Sequence, residues 1–497
     1  MCQRQQRTSG IQSEDDPSRK DDGKAFPWRL GIVDAHCHLN DSVASLQTRL
    51  PTIRARTLAI MSTNAQDQDL VADAAAQYGI EMPYALGHQS GGSRNDFIEL
   101  ENMSGEAKDD GETVTIKDGG DRVVKSEFIH DEIFTHETNG GEGTSGKGIS
   151  AETPSGEAGG CRLVPSFGWH PWYSHLLYDD TFTFAPTTTY TPPEDSVDSA
   201  SAFAAKKRHY EAVLTPSPER DDDFIASLPV PTPLSAFIAA TRARLRAHPY
   251  ALVGEIGLDK AFRVPFGCDA SAVAPPADAP ASVHASGHRT LSRYRVRIQH
   301  QEAIFGSQVR LAAAEGRPVS VHCVQAHGSL HCTFLACCQP HERPIPMIRG
   351  VGMGSRSLDG ADSPVWESLP PGRVYPPRIC LHSFTGDVQV LQLWLHSSNH
   401  TDVYFSFSKA VNLRNDSNRV KSSMVMHAVP DDRALLESDL PVVEDETDAA
   451  LEEMYRHACH VKQWPLEEGV RRFGSNFESF IFGNRMEPVS GDATDPG

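Results

Sequence analysis

Residues 30–39 read LGIVDAHCHL, and this stretch decides the interpretation of the fold. It is an apolar run that ends in two histidines. Seven more short runs rich in Val, Ile and Phe end in polar or ionisable residues in the same way, at 56–64, 163–170, 251–259, 318–324, 378–384, 403–411 and 434–440. Near-continuous apolar runs bounded by polar residues are typical of parallel strands that are buried on both faces.

Helical patterns separate these runs. The clearest apolar periodicities cover residues 66–78, 235–247, 293–315 and 451–461. Eight strands alternating with helices predict an α/β fold of the (β/α)8 TIM-barrel class. Such a barrel takes about 250 residues, and the chain has 497, so a large part of the sequence must lie in insertions.

The extra residues fall in connections between strand candidates, which predicts one barrel domain over 30–485. Residues 87–160 are rich in Gly, Ser, Glu and Asp and lack periodicity, so we predict a disordered insertion there. Composition predicts the remaining non-core segments: a disordered N-terminal segment at 1–29, loop insertions at 181–199, 262–287 and 339–377, and a flexible tail at 486–497.

The composition restricts the possible partners and compartments. Lys and Arg number 46 against 66 Asp and Glu, a net charge of −20, so any anionic substrate needs local positive charge. Ten cysteines without a CxxC pair favour a reducing compartment. The first 29 residues lack the apolar stretch of a signal peptide, and no long apolar run follows. We therefore expect a cytoplasmic or nuclear protein that has no membrane partner.

Ionisable residues lie at the ends of five strand candidates. His36 and His38 have the i, i+2 spacing that directs two side chains of a strand to the same side. The other strand ends carry Glu255, His322, His382 and Asp439. Burying such groups unpaired is costly, and the carboxyl ends of barrel strands form the mouth where catalytic groups assemble. A cation shared by these side chains explains the pattern.

Four histidines and two carboxylates exceed the four ligands of a closed structural zinc site. They predict two divalent ions, with Mg²⁺, Mn²⁺ and Zn²⁺ all left open, and Glu255 is the candidate bridge between them. Two-metal sites suit phosphoester hydrolysis because one ion activates a water and both stabilise charge on the attacking and leaving oxygens. Asp439 is predicted to ligate a metal and to orient or deprotonate that water. Glu255 and Asp439 are thus the predicted catalytic residues.

Six motifs resemble those of the TatD-type metal-dependent deoxyribonucleases, a branch of the amidohydrolase-like barrels. VDAHCHLND, SFGWHPW, LVGEIGLD, PVSVHCVQAHG, LHSFTG and LLESDLP occur in that family's order, and the ending NFESFIFG is also similar. The resemblance spans about residues 33–483 and implies a hydrolase with two divalent cations. The ligand positions that it matches are His36, His38, Glu255, His322, His382 and Asp439. The sequence after GEIGLD and the long insertions resemble the fungal TatD-related group more than the bacterial enzymes.

Two further residues are candidate substrate contacts. His170 matches a GxHP motif that the family places at the barrel mouth, which implies contact with a substrate phosphate rather than metal ligation. The alternative is a turn histidine followed by Pro171. Lys260 lies just beyond a strand end, where it could supply the local positive charge that the acidic chain needs. The alternative for Lys260 is a solvated surface side chain.

The sequence leaves three functions open. The leading hypothesis is a deoxyribonuclease or phosphodiesterase that uses a metal-activated water to cleave DNA ends or another phosphoester. The second keeps the metal site but assigns it a small ester or amide substrate, which the net charge of −20 and the variant motif flanks favour. The third is a cell-cycle interaction role, as described for some fungal relatives, with a protein partner bound through the acidic insertion at 87–160.

Overall fold

The computed structural model describes residues 25–39, 43–80, 160–181, 188–193, 199–266, 291–338, 374–396, 400–441, 443 and 445–483. All of these residues belong to one compact unit. The tail at 486–497 lies outside the described residues, as do nearly all of the insertion at 87–160 and most of the three shorter insertions. The predictions for those segments stay predictions.

Eight strands form the centre of the fold, and each coincides with one of the predicted apolar runs. They are Val33–His38 (β1), Thr57–Met61 (β2), Arg162–Ser166 (β3), Val253–Asp259 (β4), Val319–Val324 (β5), Arg378–Leu381 (β6), Asp402–Ser408 (β7) and Ala434–Glu437 (β8). Nearly all of their residues are buried, as expected for strands covered on both faces.

The strands pair in parallel and in chain order. β1, β2 and β3 form one sheet, and β4 to β8 form a second. Backbone hydrogen bonds span both gaps between the sheets. At one gap the Leu252 N–H donates to the Pro165 carbonyl (2.9 Å), and at the other the Asp439 N–H donates to the His36 carbonyl (3.0 Å). The eight strands therefore follow one another around a ring, which confirms the predicted TIM-barrel arrangement.

Helices lie between the strands, and two more follow the last strand. They are Val43–Arg49 (α1), Ala65–Tyr78 (α2), Ser199–Val213 (α3), Asp222–Ser227 (α4), Leu234–Ala247 (α5), Ile298–Glu315 (α6), His327–Cys337 (α7), Val388–Trp394 (α8), Lys409–Asn412 (α9), Asp416–Ala428 (α10), Asp445–Lys462 (α11) and Leu466–Phe482 (α12). Short 3-10 helices cover Trp28–Leu30 and Pro171–Leu176. Within the described part of the chain, no helix combines the length and the apolar character that crossing a bilayer requires.

The last helix covers the amino end of the ring. Phe477 and Phe480 of α12 pack in one cluster with Val33, the first residue of β1, and with Tyr404 of β7. The ring centroids of Tyr404 and Phe480 are 5.3 Å apart. The Asn476 side chain also donates to the carbonyl of Ala434, where β8 begins (2.8 Å). Helix α12 thus covers this end with apolar side chains. The ionisable strand residues lie at the opposite, carboxyl end.

One glycine permits the close approach of β4 to β5. Gly257 has φ +154°, and a β-carbon there would lie 1.9 Å from the carbonyl oxygen of His322. No other residue can occupy this position without moving β5. The contact places Gly257 of β4, shortly after Glu255 in the same strand, directly beside His322.

Two segments that the composition predicted to lie outside the core contain buried aromatic residues. The prediction of disorder for 1–29 is wrong at its end, because Phe26 is buried and its ring centroid lies 6.2 Å from that of Tyr455. In the predicted insertion at 181–199, Tyr190 is buried against Tyr178 at a centroid distance of 5.1 Å. In both cases a large aromatic ring gains burial in an otherwise polar segment.

The predicted helix at 293–315 begins later than expected, at Ile298. Arg295–Val296 instead pairs antiparallel with Leu214–Thr215, so the backbone there is extended. The residues 293–297 therefore lie outside the helix.

Candidate metal centre

The two histidines of β1 face the same carboxylate oxygen. The Nε2 atoms of His36 and His38 each lie 3.4 Å from Oε2 of Glu255. Oδ1 of Asp439, just beyond β8, lies 4.0 Å from both of these nitrogens. The i, i+2 spacing therefore sends both imidazoles to one side, as predicted, and Asp439 approaches them from the end of the neighbouring strand β8.

The other oxygen of Glu255 faces a second set of histidines. Its Oε1 lies 2.8 Å from Nδ1 of His322, 2.8 Å from Nε2 of His382 and 3.1 Å from Nε2 of His170. The structure thus brings all six sequence-predicted ligands together. Glu255 lies between two groups of nitrogens and presents one oxygen to each.

The donor atoms are suited to binding cations. Ligand atoms of His36, His38 and Glu255 lie within 4.8 Å of one another, as do those of His170, Glu255 and His322. Nε2 of His36 is buried and has no hydrogen-bond partner, although it faces Glu255. A buried imidazole lone pair aimed at carboxylates is costly unless a cation or a proton joins them. Imidazole nitrogen and carboxylate oxygen are common ligands of Zn²⁺ and related divalent ions.

The outer nitrogens of three histidines face acceptors. Nε2 of His322 lies 3.3 Å from Oδ2 of Asp259, and Nδ1 of His382 lies 3.5 Å from Oε1 of Glu437. Nδ1 of His36 lies 3.1 Å from the Ser320 hydroxyl. An acceptor at the outer nitrogen keeps the imidazole proton there and leaves the lone pair of the inner nitrogen for a cation.

His170 has the opposite arrangement. Its Nδ1 accepts the backbone N–H of Trp172 at 3.2 Å, so the proton of a neutral ring lies on Nε2. That Nε2–H points to Oε1 of Glu255. Burial lowers the pKa of His170 to about 4, against the opposing effect of Glu255, so the ring is neutral at neutral pH. His170 is therefore arranged as a hydrogen-bond donor, unlike the other histidines of the cluster.

The cluster holds the Glu255 carboxylate in the charged form. Burial alone would raise the pKa of Glu255, but His170, His382 and His36 together hold it well below its ordinary value. Burial would lower the pKa of His382, but Glu255 and Glu437 raise it well above its ordinary value. These opposite shifts show that a buried negative charge here requires positive charge beside it.

Sequence reasoning missed the residues that hold the ligands in place. Glu437 is buried and accepts the backbone N–H of Ser383 (2.7 Å) and its hydroxyl (2.9 Å). The Ser383 hydroxyl also lies 2.8 Å from Oδ2 of Asp439. Ser383 and Asp439 have φ of +41° and +54°, a left-handed conformation that is uncommon outside glycine and recurs at functional sites. An acidic residue inside the apolar run of β8 was the available signal for Glu437.

Lys260 lies at the rim rather than in the cluster. Its side chain is exposed, and its ammonium group donates to the Ser329 hydroxyl on α7 (3.0 Å). Its role as a substrate contact stays a prediction.

Known proteins are similar to this chain over about two thirds of its length. The family model described as TatD related DNase matches residues 155–481, a range that begins after β1 and β2. The Cut9-interacting protein scn1 of Schizosaccharomyces pombe is 35% identical over 324 residues, which cover 64% of this chain and 84% of that protein. The uncharacterized deoxyribonuclease YMR262W of Saccharomyces cerevisiae is 24% identical over 331 residues, or 64% of this chain and 82% of that protein.

A TatD homologue of Escherichia coli, YJJV, has a solved structure with a TM-score of 0.40 and 12% identity, covering 90% of this chain and 97% of that one. The family model itself covers well over half of this chain. Its matched range includes Glu255, His322, His382 and Asp439, four of the six residues that converge at the barrel mouth. The chain is therefore a hydrolase that belongs to the TatD-related DNase family.

Proposed function

We propose that this protein is a deoxyribonuclease that uses two divalent cations, Mg²⁺, Mn²⁺ or Zn²⁺, to cleave phosphodiester bonds at DNA ends. The observation that carries the proposal is the division of the Glu255 carboxylate, whose Oε2 faces His36 and His38 while its Oε1 faces His322 and His382. Membership of the family and the yeast relative named as a deoxyribonuclease support the choice of substrate.

The side chains divide into two ligand sets. His36, His38, Asp439 and Oε2 of Glu255 would hold one ion, while His322, His382 and Oε1 of Glu255 would hold the other. Such a pair of ions lowers the pKa of a water and offsets negative charge on the attacking and leaving oxygens.

Asp439 is the candidate general base. Its side chain is 15% exposed, whereas that of Glu255 is 3% exposed, so the Asp439 carboxylate is the more accessible of the two. Its Oδ2 is held by the Ser383 hydroxyl, which fixes the direction of the carboxylate while Oδ1 faces the histidines of β1. A carboxylate held in this way can orient the attacking water and accept its proton.

His170 is assigned to the substrate. Its Nε2–H is a neutral donor at the barrel mouth, and a phosphate oxygen can replace Glu255 as its acceptor. This agrees with the expectation from the sequence that His170 contacts substrate rather than metal, and the assignment stays a proposal.

End-labelled single-stranded DNA provides the direct test. Purified full-length protein should degrade it with Mg²⁺, Mn²⁺ or Zn²⁺ and should leave it intact after chelation. A panel of small esters, amides and lactones is assayed in parallel. Intact DNA in every metal condition would contradict the proposal, and turnover of a small ester would then support the second hypothesis.

Because the proton of neutral His170 lies on the nitrogen that faces Glu255, whereas the lone pair of His382 faces it, we expect different losses from two matched substitutions. His382→Gln should lower the bound metal, because it removes an imidazole lone pair that faces Glu255. His170→Gln should keep the wild-type metal content while cleavage falls by about 10- to 100-fold, because it alters a substrate donor. Metal analysis after dialysis and steady-state kinetics measure the two effects. Equal metal loss in both variants would show that His170 is a ligand.

A second candidate function is protein binding. The relative from Schizosaccharomyces pombe is named as a Cut9-interacting protein, and this favours the third hypothesis, a cell-cycle interaction through the acidic insertion at 87–160. A chain that lacks 87–160 should then lose binding to purified Cut9 while it keeps its metal content. Retained binding would contradict a role for the insertion. Location in the cytoplasm or nucleus stays part of both proposals.

A further inference from the structure

Two aromatic rings stack on each other beside the metal centre. Trp172 belongs to the 3-10 helix that follows β3, and Phe262 lies in the loop that follows β4. Their ring centroids are 4.9 Å apart and their planes differ by 10°. Both side chains are partly exposed. Because each follows the carboxyl end of its strand, the pair lies at the barrel mouth.

Through Trp172, the pair lies beside His322 of the second ligand set and beside His170. The Trp172 ring lies edge-on to His170, with centroids 4.6 Å apart, and 6.0 Å from His322. Its indole N–H donates to Oδ2 of Asp259 (2.6 Å), the carboxylate oxygen that also faces Nε2 of His322. A group that packs against this aromatic pair is therefore within a few ångströms of the candidate catalytic centre.

Two positively charged side chains flank Phe262 in the sequence of the same loop. Lys260 and Arg263 are both exposed, although the chain as a whole carries −20. Lys260 reaches the Ser329 hydroxyl on α7, and the Arg263 guanidinium donates to the Ser292 carbonyl. Proteins hold single-stranded nucleic acid by stacking bases on aromatic rings while nearby cations attract the phosphates.

We propose that Trp172 and Phe262 form a base-stacking site for the nucleotide next to the cleaved bond, with Lys260 and Arg263 attracting the adjoining phosphates. The inference rests on the proposed deoxyribonuclease function and narrows its substrate. A base can stack on this pair only when it is not stacked within a duplex, so the substrate class is a single-stranded or frayed DNA end. Small esters without an aromatic group would gain no binding energy from stacking on Trp172 and Phe262.

The test compares single-stranded DNA oligomers that carry either a normal nucleotide or an abasic tetrahydrofuran residue beside the cleaved bond. The wild-type protein should cleave the base-bearing oligomer with a kcat/KM about 10-fold higher, mainly through KM, because stacking is typically worth a factor of that order. Phe262→Leu should reduce this ratio to near 1. Phe266→Leu is the matched control, since Phe266 is an exposed phenylalanine nearby that packs against Phe224 instead, and it should keep the wild-type ratio.

A second readout does not depend on activity. The chain has six tryptophans, so the signal of Trp172 is the difference in fluorescence between wild type and Trp172→Phe. Adding the base-bearing oligomer after chelation should quench this difference signal, and the abasic oligomer should quench it less.

The outcomes separate the two proposals. Cleavage by the wild-type protein with the same rate on base-bearing and abasic oligomers would overturn the stacking site but keep the nuclease. A wild-type base preference that survives in Phe262→Leu would also overturn it and would leave the aromatic pair as packing that holds Asp259. Absence of DNA cleavage in metal-loaded wild type would instead contradict the proposed function, and absence of base-dependent quenching would then overturn the stacking site as well.

Discussion

Replacing Glu255 with glutamine should lower kcat/KM for DNA cleavage by about 10³-fold or more. The Glu255 side chain is 3% exposed and presents Oε2 to His36 and His38 and Oε1 to His322 and His382. Glutamine has nearly the same shape, but it removes the negative charge and turns one of the two oxygens into an NH₂ group, which cannot ligate a cation. The variant should therefore lose the bridge while the barrel around it keeps its packing.

Metal content and kinetics are measured together for this variant. Wild type should retain two divalent ions per chain after dialysis, and Glu255→Gln should retain at most one. Glu219→Gln is the matched control because Glu219 is exposed and far in sequence from every ligand. Circular dichroism and thermal unfolding confirm that each variant is folded. Wild-type metal content together with wild-type cleavage in Glu255→Gln would contradict the two-metal centre.

Asp439→Asn should lower kcat by about 10²- to 10³-fold with a smaller change in KM, because it removes a base that acts in the chemical step. Its metal loss should be smaller than that of Glu255→Gln. Asp439 Oδ1 lies 4.0 Å from the histidines of β1, whereas the Glu255 oxygens lie 2.8 to 3.4 Å from their imidazole partners. Single-turnover cleavage of labelled DNA separates the chemical step from product release.

Two further variants show whether the loss of kcat is specific to Asp439 and to the contact that orients it. Asp432→Asn should behave as wild type, since the Asp432 side chain is 71% exposed and pairs with Arg433. Ser383→Ala should have an intermediate loss of about 10-fold, because its hydroxyl orients Asp439 through Oδ2. An Asp439→Asn protein with wild-type kcat would show that the proton is accepted elsewhere.

The strands and the candidate ligands were recognisable from local sequence for one reason. An apolar run with an ionisable residue at its end is informative without knowledge of its neighbours, since burying such a residue requires a partner. This applied to His36 and His322, and it could have been extended to Glu437 inside β8. It did not apply to Phe26, whose burial depends on Tyr455 of a distant helix. Nor did it apply to Arg295–Val296, which pairs with Leu214–Thr215 instead of joining α6.

The sequence by itself determined the barrel class and the six residues that supply candidate ligands, because these follow from the order of apolar runs and from residue types at their ends. Only the tertiary structure decided what each atom faces. The Ser320 contact that orients His36 joins residues 284 positions apart, and the proton position on His170 depends on its contacts with Trp172 and Glu255. The pairing of Trp172 with Phe262 likewise follows from two strand ends meeting at the mouth. Such contacts depend on distances and directions through space, which the spacing of residues along one segment does not contain.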